Sequence, residues 1–359
     1  MERLARVRDA ARNRGWDGFW VAKAANRRYL TAFTGSAGWV LVPTRGRAVL
    51  LTDGRYTEQA RQEACGVRVL ETRREPHLQL ASLLKSHRIL KLGFEDAEVS
   101  VALWRLLKKA RPRLKGYAAS GLVDGLRAVK EPIEIARLRR ASLCAEAAFR
   151  SVWPKLRPGI SEKALAFELE KSIHASGADG IAFPLIVASG PNSALPHAHP
   201  TDRRLRAGDL VVLDFGCSFR GYHSDLTRTV AITRSSPRQR EVYKTVKNAQ
   251  EIAQKHIISG QKIAVCDKKA RAVFRQAGWE KYFTHSLGHG LGLEIHELPR
   301  ISRLTSESFQ PGQVVTCEPG LYFPGWGGVR IEDDFLLTAA GATPLSSSAA
   351  ELSVAGRKP

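Results

Sequence analysis

Two stretches of this chain fold back on themselves with an acid on each arm, and that repeated pattern restricts the architecture more than any other feature. Leu210-Val211-Val212-Leu213-Asp214-Phe215-Gly216 is an apolar strand that ends in a carboxylate. After a turn near Phe219-Arg220-Gly221 the chain returns through Tyr222-His223-Ser224-Asp225-Leu226-Thr227-Arg228-Thr229-Val230. A turn centred between residues 219 and 220 sets Asp214 directly opposite Asp225. Facing residues of an antiparallel pair project to the same side, with Cβ atoms about 5 Å apart. Further on, Val314-Val315-Thr316-Cys317-Glu318 is again an apolar strand ending in an acid, and Val329-Arg330-Ile331-Glu332-Asp333 returns after Pro324-Gly325-Trp326-Gly327-Gly328. A turn centred on Gly325 sets Glu318 opposite Glu332. An acid at a single strand end is ordinarily solvated. Two acid-paired hairpins weaken that explanation, because adjacent carboxylates repel unless a proton or a cation lies between them. Divalent cations are the simplest source of the positive charge that four such groups require.

Between the hairpins runs Thr284-His285-Ser286-Leu287-Gly288-His289-Gly290-Leu291-Gly292-Leu293-Glu294-Ile295-His296-Glu297, with histidines spaced by four and then seven residues. A lone histidine is ordinarily just a polar residue. Glycine on both sides of His289 lets the backbone approach a neighbour closely, which favours a functional role. The thermolysin-type zinc motif is absent, because no Glu follows the first histidine of the four-spaced pair.

The first half of the chain alternates helical and extended patterns, which predicts a small α/β domain. Helices are expected over 2–14, 56–64, 77–87 and 99–110, and strands at Gly18–Val21, Trp39–Val42, Arg47–Leu51 and Leu90–Phe94. Gly35-Ser36-Ala37-Gly38 reads as a turn. Near Val123–Pro132 the pattern changes, and Pro132 opens a long helix over 132–156 that Pro154 or Pro158 stops. Ser161 is the expected N-cap of the next helix. The domain boundary is placed near residue 125, giving domains 1–125 and 126–359.

At 359 residues the chain is long enough for two cores. Its formal charge of +21 raises the question of an anionic partner such as nucleic acid. The basic residues are scattered, however, and lack interleaved aromatic residues for stacking bases, so a generally basic surface is the preferred reading. Five cysteines, odd in number and without close pairs, argue against a disulfide framework and for a reducing cytoplasm. No apolar run reaches the roughly 18 residues of a membrane span. The segment from Met1 lacks a signal-peptide core.

At the acidic and histidine blocks the sequence resembles the proline-specific branch of the pita-bread metallopeptidases (family M24B), which contains aminopeptidase P and prolidase. The matching blocks are Leu213–Gly216, His223–Thr229, His285–His296, Cys317-Glu318-Pro319-Gly320 and Gly328–Asp333, with Ala188–His197 ahead of them. The resemblance implies an N-terminal creatinase-like α/β domain and a C-terminal α+β pita-bread domain, an antiparallel sheet flanked by helices in two pseudo-symmetric halves. It implies that Asp214, Asp225, His289, Glu318 and Glu332 ligate two divalent metal ions, with Asp225 and Glu332 bridging them. Glu318 then doubles as proton shuttle, while His197, His285 and His296 hold the substrate carbonyl and line the proline pocket. Tyr322 and Arg330 steady the site, although Arg330 could equally just neutralise nearby acids. Two close cations share a hydroxide, lower its pKa and stabilise the oxyanion formed on the peptide carbonyl. An oxygen-rich ligand set makes manganese the first choice, with cobalt or zinc as substitutes. All five ligand positions hold competent residues, unlike creatinase and catalytically dead relatives.

Within this branch the expected reaction is removal of the residue before a proline, with peptides bearing proline at the second position as partners. Phe33–Gly38 and Thr52-Asp53-Gly54-Arg55-Tyr56 look more like aminopeptidase P than prolidase. The chain length, closer to prolidase, keeps Xaa-Pro dipeptidase as the alternative. A basic protein that uses the same fold to bind nucleic acid or a protein partner is the non-enzymatic alternative. The resemblance also implies a homodimer in which one subunit's N-terminal domain approaches the other's active site.

Overall fold

The alternating apolar runs of the first 127 residues settle into one mixed sheet. A computed structural model describes residues 2–73, 75–346 and 352–355, and the chain divides into two units, Met1–Arg127 and Ala128–Pro359. In the first unit α1 (Glu2–Asn13) turns Leu4, Val7 and Ala11 inward at helical spacing. It is followed by β1 (Gly18–Val21), α2 (Ala24–Thr31), β2 (Trp39–Pro43), β3 (Ala48–Asp53), α3 (Thr57–Glu63) and β4 (Val67–Thr72). Next come α4 (Pro76–Ser86), β5 (Lys91–Phe94), α5 (Val101–Ala110), β6 (Lys115–Ala118) and α6 (Leu122–Ala128). The strand order is β4-β3-β2-β1-β5-β6. Strands β1, β2 and β3 pair antiparallel, and the outer pairs are parallel, crossed over by α3 and α5. Trp20, Leu41, Leu51, Leu84 and Leu107 fill the core on one side.

Elements α2, β4, β6 and α6 lie outside the expected set. Lys23 gives α2 no side-chain cap, and every residue of β6 is exposed, so neither carries a period or a boundary signal.

The second unit starts with α7 (Pro132–Val152), opened by a Glu131/Glu134 capping box with Pro132 in its first turn. It stops short of residue 156, passing into a 3₁₀ turn over Trp153–Lys155 that contains Pro154. Helix α8 (Glu162–Ala175) begins where the Ser161 hydroxyl accepts the Ala164 N–H, the expected cap. Then follow β7 (Gly180–Ile181), β8 (Ile186–Ser189), β9 (Leu210–Phe215), β10 (Cys217–Phe219), β11 (Tyr222–His223) and β12 (Leu226–Ile232). Helices α9 (Pro237–Gln254) and α10 (Ile263–Gln276) precede β13 (Gly288–Gly290), β14 (Glu297–Ile301), β15 (Val314–Cys317), β16 (Gly320–Phe323) and β17 (Gly327–Arg330). Strands β18 (Asp333–Thr338), β19 (Gly341–Pro344) and β20 (Val354–Ala355) complete it.

The unit has two comparable halves, each a helix pair followed by a hairpin. Leu165 and Leu169 of α8 pack on Val211, Leu213 and Val230; Val246 of α9 and Phe274 of α10 pack on Val315 and Phe335. The halves are joined where Thr227 of β12 bridges Glu332.

The two hairpins differ in how closely they follow expectation. In the second, Gly320 pairs with Arg330 and Cys317 with Asp333, so Glu318 and Glu332 fall opposite each other between those two ladders. In the first, Phe219 pairs with Tyr222 and Asp214 with Thr227, not with Asp225. The turn residues are Arg220 and Gly221, with φ of 48° and 76°. That is a two-residue turn whose backbone twist suits paired strands. The correction moves Asp225 two residues along the strand. Side chains alternate, so it stays on the face of Asp214 as a diagonal neighbour.

Candidate metal centre

The ends of β9, β12, β13, β15 and β17 deliver the acids and histidines to one place in the second unit. Ligand atoms of Asp225, His289 and Glu332 all lie within 4.8 Å of one another. His289 Nε2 is 3.5 Å from Asp225 Oδ2 and 3.5 Å from Glu318 Oε1. Asp225 and Glu332 are 6% and 2% exposed, too buried for water to disperse their charge.

Hydrogen bonding fixes the tautomers of two histidines. His289 Nδ1 lies 3.0 Å from the Gly290 carbonyl oxygen, which can only accept, so the proton is on Nδ1 and Nε2 presents a lone pair to the two carboxylates. His285 Nδ1 likewise donates to the Ser286 carbonyl at 2.8 Å, leaving Nε2 to accept from the Tyr322 hydroxyl at 2.9 Å. Burial lowers both imidazoles to about 4, so both stay neutral at ordinary pH.

Arg330 spans the base of the site. Its Nη2 donates to Asp214 Oδ2 at 2.7 Å, its Nη1 to the Tyr322 hydroxyl at 2.8 Å and its Nε to the Thr227 hydroxyl at 3.1 Å. Thr227 in turn donates to Glu332 Oε2 at 2.6 Å. Thr227 was missed as a site residue by sequence reasoning. The signal lay in the alternation of β12, which puts Thr227 and Thr229 on the Arg330 side while Arg228 turns away to pair with Asp333 at 2.9 Å. A second missed residue, Thr316, accepts the His289 N–H at 3.1 Å.

His296 stacks edge-on against His289, with ring centroids 4.4 Å apart. His197 is exposed, yet it lies near enough to His285 and His296 to disfavour a proton on either ring. The structure therefore brings all ten expected site residues (Asp214, Asp225, His289, Glu318, Glu332, His197, His285, His296, Tyr322 and Arg330) into one neighbourhood. The glycines beside His289 do make close approaches, but to strands rather than to a ligand. A Cβ on Gly288 would lie 2.3 Å from the Thr316 carbonyl oxygen, and one on Gly290 2.1 Å from that of Leu298.

These residues fit divalent cations. Burial, then repulsion from Glu332 and Asp214, raises Asp225 well above the usual carboxylate range. Burial, then Glu318 and Asp214, does the same to Glu332. Glu318 is pushed up to about 8 by burial, with Asp214 adding to the shift and Arg330 opposing it. Asp214 Oδ1 is buried with no hydrogen-bond partner, although its Oδ2 is held by Arg330. An orphaned carboxylate oxygen, a lone pair aimed at carboxylates and a single Arg among four acids leave a deficit of positive charge.

The segment carrying His296 is held by a buried ion pair. Lys130 Nζ lies 3.3 Å from Glu297 Oε2, with the two side chains 1% and 3% exposed, and Glu297 Oε1 accepts the Glu294 N–H at 3.1 Å. Removing one partner takes a close counter-charge from the other in a buried setting. Lys130→Met is therefore expected to lose about 3–5 kcal/mol of stability in urea unfolding, and Lys130→Met/Glu297→Met to lose less than Lys130→Met alone. Equal losses in the two proteins would show that the pair does not act as a unit.

The sequence pattern of metallopeptidase family M24 covers residues 136–339, and that of the creatinase/prolidase N-terminal domain covers residues 3–129. The chain belongs to metallopeptidase family M24. Its relatives place it in the proline-specific branch, M24B. It is 33% identical over 355 residues to an Xaa-Pro dipeptidase of Pyrococcus furiosus, covering 98% of this chain and 99% of that one. Among solved structures, an Xaa-Pro dipeptidase from Bacillus anthracis superposes with a TM-score of 0.95 at 39% identity, over 99% of both chains. An X-Pro aminopeptidase from Thermotoga maritima does so with a TM-score of 0.90 at 35% identity, over 98% and 99%. The fold of this M24 chain is thus a creatinase-like domain followed by a pita-bread domain. Among the described residues no helix is long and apolar enough to cross a membrane.

Proposed function

We propose that this M24 peptidase hydrolyses the bond between an N-terminal residue and a following proline, and that Xaa-Pro dipeptides are its preferred substrates. The observation that carries the reading is His289 Nε2, a lone pair held 3.5 Å from the buried Asp225 and the partly buried Glu318, whose neighbour Asp214 has an unpartnered oxygen. Asp214, Asp225, His289, Glu318 and Glu332 would hold two divalent cations. When bound, the cations lower the pKa of a water and stabilise negative charge developing on the peptide carbonyl. Manganese is the first choice for this oxygen-rich set. The protein's own groups do the rest. Glu318 accepts the water proton on a carboxylate oxygen and returns it to the proline nitrogen. Tyr322, its hydroxyl polarised by Arg330, donates to His285 Nε2 and fixes that ring on the substrate side. His296 and His197 complete that side. The free cysteines, four of them buried, suit a reducing cytoplasm, and we place the enzyme there as a homodimer.

The dipeptidase and aminopeptidase readings differ in whether chain beyond proline is accepted. Relatives at 33% and 39% identity bear the name Xaa-Pro dipeptidase, which favours the dipeptide over the first expectation. The Thermotoga relative and the Phe33–Gly38 and Thr52–Tyr56 motifs favour the aminopeptidase. Manganese-loaded protein offered Xaa-Pro, Xaa-Pro-Yaa and Xaa-Ala at equal concentration is expected to turn over the first fastest and the last negligibly. Faster cleavage of Xaa-Pro-Yaa assigns the aminopeptidase. Cleavage of none of them, with metal bound, removes the enzymatic reading in favour of a binding role.

A further inference from the structure

Away from the acidic cage, the carboxylate of Glu162 is buried among hydrogen-bond donors from the segment that follows β8. Glu162, in the first turn of α8, is 0% exposed. A carboxylate so placed persists only if its lone pairs are filled. Its Oε1 accepts the Ser189 N–H at 2.7 Å and the Ser189 hydroxyl at 2.6 Å. Its Oε2 accepts the Thr201 N–H at 2.9 Å and the Thr201 hydroxyl at 2.6 Å. Asn192 Nδ2 reaches both oxygens, at 3.1 and 3.2 Å. Arg203, paired with Asp209 at 2.6 Å, supplies nearby positive charge by donating to the Ser189 hydroxyl at 2.5 Å.

Ser189 ends β8, and Thr201 closes the excursion that follows. Both ends of segment 190–200 therefore hang from one carboxylate, which makes the segment a closed loop. Its middle is docked within the same unit. Ser193 Oγ donates to the Gly190 carbonyl at 2.6 Å and accepts the Gly328 N–H at 2.9 Å. The Pro196 carbonyl accepts from Arg330 Nη1 at 3.3 Å. A side chain at residue 328 would strike this contact, since its Cβ would lie 2.2 Å from the Ser193 carbonyl oxygen. At the tip Leu195 is 60% exposed and His197 is exposed. His197 is exposed, so its place beside His285 and His296 depends on how the loop that carries it is anchored.

We propose that Glu162 is a positioning residue: by tying Ser189 to Thr201 it closes the 190–200 loop and holds His197 against the substrate side of the site. The proposal rests on the functional reading above for what His197 does, but the closure itself does not. In Glu162→Gln an amide replaces one oxygen, and its N–H groups face the donors of Ser189 or Thr201. One end of the loop comes loose.

The test uses the full-length manganese-loaded chain. Hydrogen exchange of Glu162→Gln should quicken across 190–200 and stay unchanged across 285–296, with the metal content of wild type. Its kcat/KM on Xaa-Pro should fall about 10–100-fold, as for loss of other supporting contacts around a site. In a double-mutant cycle with His197→Ala, adding Glu162→Gln should change the rate by less than about twofold, because the residue through which it acts is already gone. Thr201→Val, which keeps the carboxylate and removes one hydroxyl donor, should give smaller effects in the same direction, and serves if Glu162→Gln does not fold. Effects that multiply in the cycle, or a loop that exchanges as slowly as in wild type, overturn the proposal. Wild type that fails on every Xaa-Pro substrate overturns the functional reading and the role of His197 together. The exchange arm would still report separately whether Glu162 anchors the loop.

Discussion

Asp225→Asn is expected to lose metal and to hydrolyse Xaa-Pro substrates more than about 100-fold more slowly, since replacing even supporting groups around a metal site costs 10–100-fold. The same substitution should make the metal-free protein more stable. Asp225 is buried among Glu332, Asp214, Glu318 and Asp334, and each of them pushes its carboxyl away from ionising. A neutral amide of the same shape removes that repulsion. The order of melting temperatures then depends on the cation: Asn above Asp with chelator, Asp above Asn with manganese, because only a competent cage gains stability from binding. A sensor for this exists in the Asp225 backbone, whose N–H donates to Asp334 Oδ2 at 3.3 Å, so hydrogen exchange there reports whether the local fold is kept. Full activity in the mutant would refute the metal-ligand role of Asp225.

Chelation is expected to make stability strongly dependent on pH. Glu318 is raised to about 8 and Asp334 to about 7, in both cases chiefly by burial, while in the unfolded chain such groups titrate near 4. A carboxyl whose folded pKa is raised contributes stability that is fully present below the unfolded value and lost as pH rises through the folded one. The buried histidines act on the other side. His285 and His289 are lowered to about 4, so their neutral state costs stability only as pH falls below the ordinary histidine range. Between about pH 7.5 and 9, above the ordinary histidine range, the histidines are largely neutral in both states and the raised carboxyls set the slope. Metal-free protein should therefore melt at progressively lower temperature from about pH 7.5 to 9. Bound cations favour the ionised carboxylates, so metal-loaded protein should show a flat or opposite trend. Thermal melts at matched ionic strength with and without chelator measure the difference. Parallel curves would mean that the acids do not share a charge-poor cage.

How much of this was legible in the sequence varied with the local chemistry. The second hairpin was read in register because Gly325, with φ of 76°, is the evident centre of its turn. The first was misread by two residues because its turn puts Arg220, a residue that rarely takes positive φ, beside Gly221. The error left the acids on one face, since a shift of two residues keeps side-chain parity. The caps of α7 and α8 were legible at Pro132 and Ser161 because the capping chemistry is local. What escaped was set by contacts distant in sequence: Thr227 acting on Glu332 across 105 residues, Lys130 meeting Glu297 across 167, and Glu162 gathering residues 189 to 201. None of these leaves a spacing pattern, because each depends on which face of a strand or helix turns inward.

Crystals of the manganese-loaded protein, measured at a wavelength where manganese scatters anomalously, would locate the cations directly. Two peaks enclosed by Asp214, Asp225, His289, Glu318 and Glu332 are expected. Density without peaks there, around side chains turned away from one another, would contradict the proposed cage and the chemistry built on it.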